Sequence, residues 1–331
     1  MPPKLKLGFD NYAVRALGWK ATQLLDYAAA LRVDTLLLSD LDVYEDRSDA
    51  ALRELKVRAD ALGIELQVGT LSVCRGSALW HDRFGSPEEH LRLLLRVARA
   101  LGSLVARCVL GIWHDRLTPG GIAARQAEVL QALRAVRSEA LDSGVKFALE
   151  NHAGDMQGWE TRALIEEAGR DFVGATLDTG NATWAMEDPV ALLETLGPLA
   201  LTTGIRDSML WETADGAMLQ WTAMGGGVVD WPAFFARYAV LCPHAPVIIE
   251  TISGRPMPMP FLTDEFCALY PQTRLRDFTR FLALVKRGRP IAPRQFASDA
   301  AGLAAEQEFQ KAELERSLRY CREVLGLGRK G

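Results

Sequence analysis

The chain is short of the residues that usually announce a metal cluster or a disulfide scaffold. It has five histidines and five cysteines in 331 residues. Cys74, Cys108, Cys242, Cys267 and Cys321 are scattered and form no C-x-x-C pair. An odd, dispersed set excludes a disulfide framework and a paired-cysteine zinc ribbon, and it fits a reducing compartment. No apolar run reaches the roughly 18 to 20 residues of a membrane span. Positive charge is not in excess: 38 Lys and Arg stand against 42 Asp and Glu, a net of −4. Nucleic acid is therefore not an expected partner. Gly8-Phe9-Asp10-Asn11 follows the first apolar run without the G-x-G-x-x-G of a dinucleotide-binding open sheet. No internal repeat is visible. Met1-Pro2-Pro3-Lys4 leads at once into an apolar run, which leaves no room for a secretory leader, so a cytoplasmic protein is expected.

What is present is an alternation. Short, near-continuously apolar runs at 5–9, 34–39, 66–73, 106–112, 146–150, 173–178, 199–205 and 246–251 read as parallel strands buried on both faces. Segments with helical periodicity lie between them, at 20–32, 49–62, 122–141 and 160–168. Ser86-Pro87-Glu88-Glu89 is a capping box with proline in the first turn. Asp188-Pro189 and Asp230-Trp231-Pro232 open two further helices, and Gly63, Gly102, Gly144 and Gly169 stand where helices must turn into strands. Eight strand-then-helix units in about 250 residues predict an α/β fold, a (β/α)8 TIM barrel, rather than a doubly wound sheet. The barrel core is expected over residues 1–253. The remainder, 254–331, should be a C-terminal helical extension inserted after strand eight. Its Arg255-Pro256-Met257-Pro258-Met259-Pro260 looks too proline-rich for helix or sheet. Helices are expected at 277–286 and 303–324, the last being the eighth outer helix.

Three of the apolar runs end in an acid: Glu150, Asp178 and Glu250. A carboxylate directly after a buried strand is costly unless a cation or hydrogen-bond donors receive it. In a barrel all strand ends gather at one face, so the three acids should meet. Hard oxygen donors of this kind suit a divalent metal, Mn2+ or Mg2+, while added imidazole would favour Co2+ or Zn2+.

Glu150-Asn151-His152, Leu177-Asp178-Thr179-Gly180-Asn181 and Ile249-Glu250-Thr251 resemble the strand-end motifs of the xylose isomerase-like TIM-barrel superfamily, which includes sugar phosphate isomerases and epimerases. Arg206-Asp207, and Gly225-Gly226-Gly227 leading to Asp230, are similar to its K/R-D and GxGxxD elements. The resemblance covers about residues 5–253. It implies Glu150, Asp178 and Glu250 as metal ligands, Glu150 and Glu250 as an acid/base pair, and His152 facing substrate. Asn181 and Arg206 would contact substrate. The implied reaction is proton abstraction beside the carbonyl of a sugar, keto-sugar or polyol derivative, which suits an isomerase or epimerase. A lyase or dehydratase on the same scaffold would begin with the same step. The chain departs from the superfamily at strand seven, where two histidines are usual and Thr202 and Gly204 stand instead. His114 or Gln220 could replace the lost ligand; failing that, the chain could be a sugar-binding barrel without metal. Too few histidines remain for the zinc cluster of an endonuclease-type repair enzyme.

Trp80, Trp113, Trp159, Trp184, Trp211 and Trp221 fall in or near strand-following loops, where rings can stack on a sugar. Trp113, Trp184 and His114 are therefore candidates for substrate binding, with Arg75, Arg116 and Arg206 available for oxygens. The expected partner is a small carbohydrate, with no membrane and a homodimer in keeping with the superfamily.

Overall fold

The structure is a computed structural model and describes residues 5–329. Strands β1 (Leu7–Asp10), β2 (Thr35–Leu38), β3 (Glu65–Ser72), β4 (Val105–Val109), β5 (Lys146–Glu150), β6 (Val173–Asp178) and β7 (Ala200–Gly204) are followed by β8 (Asp207–Thr213) and β9 (Gly216–Thr222). Strands β10 (Val247–Ile249) and β11 (Pro256–Met259) complete the set. Eight of these, in the order β10-β1-β2-β3-β4-β5-β6-β7, pair in parallel with helices between them, which is the α/β barrel the alternation predicts. Each predicted apolar run supplies one barrel strand.

The barrel closes between β7 and β10 by an unusual seam. Ile205 bridges Ile249, taking a hydrogen bond from Glu250 N and giving one to Ile248 O. Below it the Thr203 hydroxyl donates to Pro246 O at 2.9 Å and accepts from Ile248 N at 3.0 Å, replacing a ladder bond with a side chain.

The period of two along each strand decides which residues face the lumen. Leu7, Phe9, Leu36, Leu38, Phe147, Leu149, Val173, Ala175, Leu177, Val247 and Ile249 all belong to the shell between strands and helices. The alternate residues are absent from that shell: Asp10, Gln67, Arg107, Glu150, Thr176, Asp178, Thr202 and Glu250. They are buried and polar, so hydrogen bonding and ion pairing fill the lumen instead.

Helix boundaries follow local chemistry. The Ser86–Glu89 capping box forms as expected, at the head of the helix Pro87–Ala100. The helix expected over 122–141 is instead two, Gly121–Ala135 and Arg137–Ser143, because the buried, β-branched Val136 leaves helical geometry (φ −113°, ψ 13°). The last helix, Ala300–Glu323, packs Leu314, Leu318 and Cys321 into the barrel shell, and Gln310 accepts from Ala16 N at 2.9 Å. It closes the ring as the eighth outer helix.

One expectation is overturned in the C-terminal part. Pro256–Met259 is a strand, antiparallel to β9 in a small sheet of order β11-β9-β8. An edge strand turns alternate N–H groups outward, and Pro256 and Pro258 share one phase, so neither proline removes a needed donor. This sheet carries its own apolar cluster, in which Leu210, Leu219, Trp221, Met259 and Phe261 pack on Phe281, Leu284 and Val285 of the helix Leu275–Val285. A cap of this kind covers the end of the barrel where the strand-end acids lie.

Candidate functional site

Glu150, Asp178 and Glu250, from the ends of β5, β6 and β10, converge. One carboxylate oxygen from each lies within 4.8 Å of the others, and all three residues are buried. The structure adds two participants that the motifs alone did not bring forward, and it gives a third, Arg206, its place.

The first is Asp10, the last residue of β1. It accepts from Tyr12 N at 2.7 Å and from the Ser39 hydroxyl at 2.6 Å. Burial, reinforced by the charge of Glu250, pushes its carboxyl up to about 7. Asp10 carries the same signal as the other three, an acid ending an apolar strand, and was legible on that ground. The second is Arg107, in the middle of β4. Its Nε donates to Glu150 Oε2 at 2.6 Å and its Nη1 to Thr70 O at 3.1 Å. A charged residue inside Val105-Ala106-Arg107-Cys108-Val109 is itself a signal, since a lone guanidinium is not buried without a partner.

The third is the placement of Arg206. Its Nη2 donates to both Asp178 Oδ2 and Glu250 Oε2, the latter at 2.5 Å, and its guanidinium lies over the Trp221 ring at 4.4 Å. Trp221 is held there by donating from Nε1 to Gly180 O at 3.1 Å. Four carboxylates thus face two guanidiniums. The lumen is short of two positive charges, which burial makes expensive. Asp178 responds accordingly: burial, with Glu150 and Glu250 adding to it, lifts its carboxyl well above the usual range in spite of Arg206. Burial alone would also raise Glu150, but the guanidiniums of Arg107 and Arg206 outweigh it and hold Glu150 below the ordinary carboxylate value.

Asn181 donates from Nδ2 to Glu150 Oε1 at 3.1 Å, so both oxygens of Glu150 are occupied. Asn151 bridges to β6 by exchanging hydrogen bonds with the main chain of Asp178, at 2.9 Å each. His152 sits 2.7 Å from Gly111 O through Nδ1. Burial keeps its imidazole neutral, with its protonation shifted to lower pH. The neutral ring that donates from Nδ1 presents Nε2 as an acceptor. The loop behind it is shaped by Asp155, which accepts from the main-chain N–H of His152, Met156 and Gly111.

The remaining candidates named from the sequence are not members of the carboxylate group. His114 is exposed and stacked on Trp113, with ring centroids 3.6 Å apart, outside the carboxylate group. Gln220 pairs with the cap, donating from Nε2 to Ala292 O at 3.2 Å. Trp184 packs edge-on to Trp221 with centroids 5.4 Å apart, and Trp113 and Trp184 both approach Gly154 on the loop that carries His152. Trp159 stacks with Arg274 instead, and Trp80 with His81. Asp207 is a tether: it accepts from Gly225 N and Gly227 N at 3.0 Å each and holds the triple-glycine loop. Arg116 is buried beneath the cap, donating to Leu269 O at 2.9 Å and paired with Glu160.

The donor set fits a divalent cation. Three hard oxygens converge, each carboxylate has further lone pairs beyond those its partners use, and with all four lumen carboxylates ionised two positive charges are lacking.

Comparison with known proteins agrees with the architecture. A sequence model of the family described as xylose isomerase-like TIM barrel matches residues 12–262. A protein of Pectobacterium atrosepticum named 3-oxo-isoapionate decarboxylase is 26% identical over 241 residues, 69% of this chain and 79% of that one. Among solved structures, D-psicose 3-epimerase in the presence of D-fructose is similar with a TM-score of 0.62 at 17% identity, over 97% of this chain and 100% of that one. A xylose isomerase-like TIM barrel protein from Mycobacterium smegmatis in complex with magnesium has a TM-score of 0.56 at 15% identity, over 95% and 98% of the two chains. At such identities the structural likeness speaks to fold.

Proposed function

This chain belongs to the xylose isomerase-like TIM-barrel family, and from that premise we propose that it is a sugar-processing enzyme acting beside a carbonyl group. The reading favoured is isomerisation or epimerisation of a keto-sugar or polyol derivative through an enediolate. The observation that carries it is the meeting of Glu150, Asp178 and Glu250 within 4.8 Å at the strand ends.

Glu150, Asp178 and Glu250 would hold a divalent cation, Mn2+ or Mg2+ before Co2+ or Zn2+, because the donors are all carboxylate oxygens. When bound, such a cation supplies Lewis-acid polarisation of a carbonyl and charge for an enediolate. The rest falls to side chains. Glu250 uses Oε2 for Arg206, while its Oε1 makes no hydrogen bond among the described residues, so it is the freer base. Glu150 has both oxygens occupied and its ionised form stabilised, which suits it to hold position more than to carry a proton. His152 offers a neutral Nε2 to a substrate hydroxyl. Trp113 and Trp184 supply ring faces for the carbon skeleton.

The clamp on Glu150 also favours a second reading. Loss of CO2 from a 2-hydroxy-3-oxo acid leaves the same kind of enediolate without a base removing a C–H proton, and the sequence relative from Pectobacterium bears the name of a decarboxylase. Both readings are tested with the full chain plus Mn2+ in D2O, following C–H exchange in ketoses by NMR and CO2 release from 3-oxo sugar acids. Exchange that falls by about 10² to 10⁴ in Glu250→Gln, with the fold intact by circular dichroism, is the expected result. CO2 release without exchange would replace the first reading by the second. Neither signal, or full activity in both Glu150→Gln and Glu250→Gln, would overturn the enzyme assignment.

A further inference from the structure

Strand β7 contributes no ligand, and the reason is steric as well as chemical. The Thr202 hydroxyl is spent on Gln67 Oε1, 2.5 Å away across the lumen. A Cβ at Gly204 would lie 2.3 Å from Asp178 Oδ2, so no side chain fits there while that carboxylate keeps its place. The next lumen-facing residue in the same phase is Arg206, and it reaches the two carboxylates on either side of the gap. Room for it comes from Gly180, where a Cβ would stand 2.2 Å from Arg206 Cγ and Cδ.

The main chain of Arg206 is fixed, since its N–H donates to the Thr179 hydroxyl at 3.0 Å and its carbonyl accepts from that hydroxyl at 2.9 Å. The side chain is less fully held. Its Nε is buried without an acceptor, and one nitrogen, Nη2, makes both carboxylate contacts.

We propose that Arg206 is a resident cation of this site, holding Asp178 and Glu250 together in the cation-free protein and competing with a divalent ion for the same two carboxylates. The proposal rests on reading the three acids as a cation site. A state that must first be vacated lowers apparent affinity by the fraction of molecules that vacate it. The cost of a tethered competitor is weak metal binding; its benefit is a site that stays assembled when no ion is bound.

Calorimetric titration of the full chain with Mn2+ alone separates the possibilities. Arg206→Gln, with its fold checked by circular dichroism, should bind Mn2+ at least tenfold more tightly than wild type, a gain of about 1.4 kcal/mol. Arg206→Lys retains the charge without the planar fork and should fall between the two. Unchanged or weaker binding in Arg206→Gln would overturn the inference, because Arg206 would then support the ion and not oppose it. Should Arg206→Gln fail to fold, Arg206→Lys decides: tighter binding than wild type supports the proposal, and equal or weaker binding overturns it. Absence of Mn2+ binding in wild type and variants alike would instead sink the underlying cation-site reading.

Discussion

Arg107 in the middle of β4 and Glu150 at the end of β5 form an ion pair at 2.6 Å with side chains only 4% and 3% exposed. Adjacent strands bring them together, since Arg107 is in register with Ala148, two residues before Glu150 on the same lumen-facing phase. A buried pair adds little stability relative to apolar residues of the same shape, yet removing one partner strands the other charge. Arg107→Ala should therefore lower the unfolding free energy by about 3 to 5 kcal/mol, read from urea denaturation. The double variant Arg107→Leu, Glu150→Leu should recover a good part of that loss. A single variant within about 1 kcal/mol of wild type would show that the pair is not desolvated.

Glu187 is buried at the edge of the cap and accepts from Gly158 N at 2.7 Å. Burial pushes its carboxyl up to about 8. The folded value lies above the unfolded one, so the folded protein holds this proton more tightly. Its contribution is then favourable at low pH, and stability is lost as pH rises from about 4.5 through about 8. Asp10, raised to about 7, and Asp207, raised to about 6 by burial, act in the same direction. Glu187→Gln should flatten the decline in melting temperature between pH 5 and 9 and stabilise the protein at the alkaline end. Parallel curves for wild type and variant would count against a buried proton at this position.

The cap is fastened to the barrel at one point by Arg116 and Tyr270. Tyr270 donates its hydroxyl to Gly154 O at 2.8 Å, and the Arg116 guanidinium lies over the Tyr270 ring at 4.2 Å while binding Leu269 O and Glu160. Tyr270→Phe should cost about 1 kcal/mol, and Arg116→Ala more. Amide hydrogen exchange should rise across 264–285 and stay unchanged in the barrel strands. Uniform acceleration throughout the chain would mean that the fastening supports global stability and does not hold the cap locally.

Much of this molecule is legible along the chain because its determinants are local. A strand buried on both faces has to be continuously apolar, and all eight runs with that property became barrel strands. Ser86 and Glu89 needed only each other to start a helix. Where local signals compete with distant ones the reading failed: Pro256 and Pro258 look like strand breakers until β9 makes them an edge. Val136 interrupts a helix whose periodicity runs on through it.

The sequence by itself determined that Glu150, Asp178 and Glu250 share one end of the barrel, since strand-terminal position alone brings them to that face. It also determined that strand seven lacks an imidazole. Only the tertiary structure decided what stands beside those acids. Arg107 and Arg206 reach them through strand register, lumen-facing phase and closure of β10 against β1 and β7. Those relations join residues 28 to 240 positions apart. Charge balance in a closed lumen is a property of the assembled ring, and no window of sequence contains it.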